Sequence, residues 1–199
     1  ICPTCLGKIP LNQKSPFRFN RVRFNQGQPM TGLIVTSHYE YPLIKEAIHR
    51  YKYDLVKDLA GPLGRLMAKQ LSACLKISEE DTFLLAVPLH PKRLRWRGFN
   101  QAELLAQVIS QQSGIPLAEN ILRRSKYRLP QMAIKSSQQR KENIKEAFQL
   151  GSPSIPQIKN KTIILVDDVS TTGATLAECA RILKPLHPKE IWGLVIAHG

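Results

Sequence analysis

Asp167 and Asp168 stand side by side at the end of a short apolar run, residues 163–166, and lead into Ser170, Thr171, Thr172 and Gly173. An apolar run of this kind reads as a buried strand, and the Ser/Thr/Gly turn after it opens a helix. Ligands of open parallel sheets collect at the carboxyl ends of strands. A helix start there offers unpaired N–H groups and a partial positive charge, both suited to a phosphate. Gly173 and Ala174 let the backbone approach closely, while the hydroxyls of Ser170, Thr171, Thr172 and Thr175 add hydrogen bonds. The two carboxylates would repel a bare phosphate. Beside a ribose they accept hydrogen bonds from its hydroxyls, or help to hold a divalent cation. Taken together, Asp167, Asp168 and residues 170–175 describe a clamp for a ribose 5-phosphate. No Gly-x4-Gly-Lys-Ser/Thr loop and no Gly-x-Gly-x-x-Gly turn occurs in the chain. An aspartyl-phosphate receiver also carries adjacent acids, but it leaves the Thr-Thr-Gly turn unexplained. The plain alternative is a helix cap with incidental acids beside it.

A second segment is basic: Pro88, Leu89, His90, Pro91, Lys92, Arg93, Leu94, Arg95, Trp96, Arg97 and Gly98. Its arginines can grip an anion with two parallel hydrogen bonds, and Lys92 offers a point charge. Asn100 is expected to cap the helix that follows. Cys2 and Cys5 have metal-ligand spacing, yet a structural zinc site takes about four ligands, so this pair is at most half of one. Cys74 and Cys179 fall in apolar helical patterns and read as buried thiols. Without a disulfide framework, a reducing cytoplasm is the default location. The chain begins at Ile1 rather than Met, so a leading segment is expected ahead of it.

Lys and Arg outnumber Asp and Glu by 29 to 15, a net charge of +14, in 199 residues that are 43% hydrophobic. Such a chain can bury a core, which excludes a disordered tail or a disulfide-stapled miniprotein. No apolar run approaches the roughly 18 residues of a membrane helix, so no membrane insertion is expected. More than half of the excess charge falls within residues 88–150, which favours anionic partners, either phosphorylated small molecules or nucleic acid. Phe17, Phe19 and Phe24 interleave with Arg18, Arg21 and Arg23, the composition of a surface that binds single-stranded DNA by stacking. A strand or hairpin with one face packed down explains the same residues. The basic stretch 121–145 can track phosphates or serve as a lid.

These residues need elements to place them. Residues 1–32 are broken by prolines and glycines and read as irregular. Strands are expected at 33–36, 83–87, 163–166 and 191–197. Ile44, Ala47, Ile48 and Tyr51 share one helical face, and a second pattern from Leu63 to Leu75 follows Pro62. A third helix places Ala102, Leu105, Ala106 and Ile109 on one side, a fourth spans 174–183, and another is expected near 138–148. Residues 88–98 are expected as a loop. Strands alternating with helices give an α/β fold, its mostly parallel sheet flanked by helices. The expected division is 1–32 as an N-terminal segment and 33–199 as the main domain.

Residues 166–175 resemble the phosphoribosyl pyrophosphate (PRPP) signature of type I phosphoribosyltransferases. The rest is similar to one branch, the ComF family of competence and DNA-uptake proteins. That similarity rests on residues 39–42 and 48–53, on 87–93, on Arg97, Gly98, Phe99, Asn100 and Gln101, and on Pro130, Gln131, Arg140, Asn143, Ala147 and Phe148. It implies a type I phosphoribosyltransferase-like fold behind an irregular N-terminal segment, the remnant of a four-cysteine zinc module to which Cys2 and Cys5 would belong. The resemblance further implies that the basic loop holds pyrophosphate through Leu89, His90, Lys92, Arg93 and Arg97. Asp167, Asp168 and Arg97 would then be the catalytic set, with PRPP bound together with magnesium and its pyrophosphate displaced. Participation in transformation follows, with single-stranded DNA and competence proteins as partners. A non-catalytic competence factor that binds single-stranded DNA through the same fold is the alternative.

Overall fold

A computed structural model of the chain describes residues 3–18, 29–125, 147–151 and 158–199. Its centre is a five-stranded sheet in which β1 (Phe17–Arg18), β2 (Gly32–His38), β7 (Glu190–His198), β6 (Thr162–Ser170) and β3 (Thr82–Ala86) lie side by side in that order. β2, β7, β6 and β3 are mutually parallel, and only the short β1 edge runs antiparallel. Parallel strands need helical crossovers and end up covered on both faces. The four long strands are accordingly apolar along most of their length.

On one face α2 (Pro42–Lys52), α3 (Ala60–Cys74) and α5 (Gln101–Ser113) bury Ile44, Tyr51, Leu63, Met67 and Leu105 against Ile34, Leu84, Ile164 and Leu194. The opposite face is covered by α6 (Ala174–Leu183) and by a small antiparallel hood of β4 (Leu122–Arg124) and β5 (Phe148–Leu150). Alternate strand residues divide between the two: Ile164 and Val166 face one side, Ile163 and Leu165 the other. Gly193 leaves room for α6, since a Cβ there would stand 2.9 Å from Leu176 Cδ1 and 2.8 Å from Leu33 Cδ1. The N-terminal segment holds a short helix, α1 (Pro3–Gly7), and it docks: Ile9 is buried in the α3/α5 core, and Asn12 N–H donates to the Thr36 carbonyl at 2.9 Å.

Three expectations change. Residues 91–97 form a helix, α4 (Pro91–Arg97), rather than a loop. His90 caps it by accepting from Lys92 N–H at 3.1 Å, Pro91 takes the first turn, and Gly98 ends it at φ 78°. Phe148 lies in β5 and not at the end of a helix, while 138–146 are outside the described residues. Cys74 is half-buried at the end of α3, where Gln70 Nε2 donates to its Sγ at 3.4 Å, whereas Cys179 is buried as expected. Cys2, Phe19, Phe24, Pro130, Gln131, Arg140 and Asn143 also lie outside the described residues.

Candidate functional site

Two crossovers end at the carboxyl edge of the sheet and converge there. β6 continues past its apolar run, pairing with β7 as far as Ser170 opposite His198. Asp167 and Asp168 are therefore strand residues inside the pairing, with Asp167 opposite Val195 and the pairing resumed beyond them at Val169 and Ser170. Each carboxylate also fixes the chain after it: Asp167 Oδ1 accepts from Asp168 N–H at 2.8 Å, and Asp168 Oδ1 from Val169 N–H at 2.6 Å.

Beyond Ser170 the chain turns into α6 through Gly173, whose φ of 72° is left-handed backbone that glycine adopts without strain. Gly173 has no side chain to cap α6, and Thr172 Oγ1 accepts from Ala174 N–H at 3.4 Å, a long bond. A Cβ on Gly173 would meet nothing within 4 Å, so the turn encloses open space. That hollow is lined by Asp167 and residues 169–176. Ser170 Oγ, in a residue only 5% exposed, has no hydrogen-bond partner among the described residues. A buried hydroxyl left unpaired costs on the order of 1–3 kcal/mol, and a bound anion at this place would recover it.

The second crossover is the segment after β3. Val87 N–H donates to the Val166 carbonyl at 2.9 Å, which keeps the start of the segment beside the acidic pair. Asn100 caps α5 as expected, accepting from Ala102 N–H at 3.1 Å, and its Nδ2 also donates to the Val87 carbonyl at 3.1 Å. One side chain thus closes both ends of the basic segment. Arg97 is half-buried, with Nη1 donating to Gln101 Oε1 at 2.8 Å and Nε buried without a partner. Burial lowers its pKa, against the attraction of Asp168 nearby. His90 is buried, its Nδ1 engaged by the Lys92 amide; desolvation first and Arg124 second lower its pKa, against a hydrogen bond to the Ser125 backbone. It ties α4 to the hood. Leu89 is half-buried, and Lys92 and Arg93 lie in the first turn of α4.

The electrostatics of the acidic pair follow from crowding. Burial, and then the neighbouring Asp168, push the Asp167 carboxyl up to about 7, although Lys52 and Arg124 oppose the shift. Asp168 is held by Lys52 at the end of α2, with Nζ 2.9 Å from Oδ1. Two cations that the sequence reading did not single out therefore belong to the site, Arg124 having figured only within the basic stretch 121–145. Lys52 ends an otherwise ordinary amphipathic helix, and its only signal was its place in the 48–53 motif. Arg124 sits on β4 with its guanidinium 5.1 Å from the Phe148 ring centre and its Nε buried and unpaired. Burial chiefly lowers its pKa, followed by Arg93, while Asp167 raises it.

Metal fits this arrangement poorly. Asp168 Oδ1 already holds an ammonium and an amide, and Asp167 Oδ1 accepts from the Asp168 amide, so the pair suits sugar hydroxyls better than direct coordination of magnesium. Among the described residues no group of three or more His, Cys, Asp or Glu is placed to hold a metal ion. The half-buried Cys5 is the one member of the expected zinc pair that is described.

The site is thus built on an α/β sheet in which an inner strand, β6, carries an acidic pair and runs into a glycine-led helix turn. The phosphoribosyl transferase domain family matches residues 98–198. Competence protein F of Haemophilus influenzae is 36% identical over 173 residues, covering 83% of this chain and 72% of that protein. The DNA utilization protein YhgH of Escherichia coli K12 is 31% identical over 157 residues, covering 78% of this chain and 66% of that protein. The chain thus spans about two thirds of the length of several such relatives. A purine phosphoribosyltransferase from Pyrococcus horikoshii aligns with a TM-score of 0.39 at 21% identity, over 68% of this chain and 70% of that one. The chain belongs to the phosphoribosyl transferase domain family, in its competence protein F-like branch.

Proposed function

We propose that the protein binds PRPP, as its magnesium complex, and acts in DNA uptake and transformation. The observation that carries this reading is the turn at 170–173: a helix start at Gly173 with no cap from that residue, a buried Ser170 hydroxyl unpaired among the described residues and the Asp167–Asp168 pair, all on one strand end. The helix dipole and amides of 173–175 would take the 5′-phosphate, and the acidic pair the ribose hydroxyls. Arg97 and Arg93 would meet the pyrophosphate, where negative charge grows as the anomeric bond breaks. Magnesium brought by the diphosphate, and not held by the acidic pair, would add charge neutralisation there. The DNA-uptake role is supported by the names of relatives, a competence protein and a DNA utilization protein.

The reading is tested by calorimetric titration of PRPP with and without magnesium, followed by a pyrophosphate-release assay with nucleobases or single-stranded DNA as acceptors. Saturable PRPP binding lost in the Asp167→Ala, Asp168→Ala double variant is expected. Unchanged affinity in that variant, still folded, sinks the clamp.

A second reading, a surface for single-stranded DNA without catalysis, is favoured by Trp96, which is 68% exposed on α4 among Arg93, Arg95 and Arg97. Leu94 and Tyr53 are exposed as well. The aromatic segment 17–24 proposed for the same task lies mostly outside the described residues, where only residues 17 and 18 are assigned, as β1. Zinc on Cys2 and Cys5 stays a proposal that needs further ligands. Among the described residues no helix is long and apolar enough to cross a membrane.

A further inference from the structure

Lys52 is the last residue of α2, where the helix carbonyls favour a cation. Its side chain crosses to the end of β6 and places Nζ 2.9 Å from Asp168 Oδ1, with the two side chains 22% and 13% exposed. Val169 N–H donates to the same oxygen. Both contacts fall on Oδ1, so Oδ2 takes part in neither. A carboxylate pinned in this way through one oxygen presents the other in a fixed direction.

A second difficulty is resolved by the same contact. Two adjacent carboxylates beside a ligand with three phosphate groups would repel it across a few ångströms, in a setting where water screens weakly. An ammonium ion in contact with Asp168 offsets that repulsion without using any cation of the basic segment. Burial alone would lower the pKa of Lys52, but Asp168, Asp167 and Tyr53 together outweigh it and the net shift is upward, so Lys52 stays charged.

We propose that Lys52 is a positioning residue of the ribose clamp: it fixes Asp168 through Oδ1, turns Oδ2 to a ribose hydroxyl and supplies the counter-charge that admits a polyphosphate. The inference rests on the ribose-phosphate reading above. Groups facing Asp168 are Lys52 and Tyr51 from α2, Arg97 from α4 and Asp167 on its own strand; Asp167 also faces Arg124 from β4 and Cys179 from α6. Of these, Lys52 alone touches Asp168 through a recorded ion pair among the described residues.

The test compares wild type, Lys52→Met and Lys52→Arg by calorimetric titration with PRPP and with ribose 5-phosphate, from pH 5.5 to 9, alongside thermal melts. Lys52→Met is expected to lose about ten- to hundredfold in affinity for both ligands, as for loss of a charge-assisted contact. Its pH midpoint for binding should move upward, because the acidic pair loses its counter-ion. Lys52→Arg should recover most of the affinity and the wild-type midpoint. A Lys52→Met protein that melts earlier but binds both ligands with unchanged affinity and midpoint makes Lys52 a mere latch between α2 and β6, and overturns the assignment alone. If Lys52→Met does not fold, a Lys52→Arg protein with a wild-type melt but no better than a tenth of the affinity overturns it equally. Wild-type protein that binds neither ligand overturns the ribose-phosphate reading and the assignment together.

Discussion

The hydroxyl of Tyr51 donates to the backbone carbonyl of Gln101 at 2.8 Å, joining the end of α2 to the first turn of α5. Two sequence motifs far apart in the chain, 48–53 and 97–101, therefore meet as one wall of the site. Tyr51 is fully buried, its ring 6.0 Å from that of Phe99, and burial raises its pKa far above the ordinary tyrosine value. It acts as a neutral donor throughout the physiological range. Gln101 itself accepts from Arg97, so the wall carries the orientation of Arg97 as well as that of Lys52.

Removing the hydroxyl isolates that contribution. Tyr51→Phe keeps the packing and leaves the Gln101 carbonyl short of one donor, which is expected to lower stability by about 1–2 kcal/mol. Chemical denaturation should show the loss as a lower midpoint at unchanged slope. A stability equal to wild type would mean that water replaces the hydroxyl, and that the wall is held by packing.

Ser170→Ala is expected to act with opposite signs on stability and binding. In the free protein the substitution removes a buried hydroxyl without a partner among the described residues, so it should leave stability unchanged or raise it by about 1 kcal/mol. If Ser170 Oγ meets the ligand phosphate, PRPP affinity falls at the same time. Loss of stability together with unchanged affinity would assign the hydroxyl to the protein's own architecture.

The acidic pair predicts a pH dependence whose sign is fixed. The Asp167 carboxyl is raised from 3.8 to about 7 by burial and by Asp168. Between those values the folded protein binds more protons than the unfolded chain, so this group makes stability fall as pH rises from about 4 to about 7, and level off above. Asp167→Asn removes the dependence and should raise the melting temperature at pH 8 relative to wild type, while weakening ribose binding. Melts at pH 5 and pH 8 check it: the difference between variant and wild type should be larger at pH 8. An equal difference at both values would show that Asp167 ionises freely.

Much of this was legible in the sequence because burial leaves a period. The faces of α2 and α5, the α6 span and the mostly parallel sheet followed from apolar spacing and the alternation of strands with helices, and Asn100 followed from its place before a helical face. Lengths were underestimated where chemistry interrupts the pattern. Asp167 and Asp168 broke the apolar run, yet hydrogen bonding to β7 carries β6 through them to Ser170. α4 was invisible for a related reason: none of its residues is buried, so it has no apolar stripe, and only His90, Pro91 and Gly98 mark its ends. Lys52 and Arg124 were not singled out because their roles come from what lies opposite in space. Neither residue carries that in its own neighbourhood of the chain.

Trp96 separates the two readings of the excess charge. Its ring is 68% exposed, with the Arg97 guanidinium 5.8 Å from its centre, and so little packing depends on it that Trp96→Ala should leave the melting temperature close to wild type. If the α4 surface stacks on the bases of single-stranded DNA, the same change should cost about 1–3 kcal/mol of DNA affinity. Binding should also weaken with salt, with a slope of roughly −0.7 per neutralised phosphate, and Arg95→Ala should reduce that slope while Trp96→Ala leaves it unchanged. Arg97→Ala gives the contrast for the small-molecule site. It is expected to weaken pyrophosphate and PRPP more than ribose 5-phosphate, since the last lacks the leaving group that Arg97 would hold. Fluorescence anisotropy with a labelled oligonucleotide, with and without saturating PRPP, completes the comparison. Independent binding is expected, because Trp96 points to solvent while the clamp lies at the end of β6. Mutual exclusion would place DNA within the clamp itself, and a Trp96→Ala protein with wild-type DNA affinity would remove α4 as the platform.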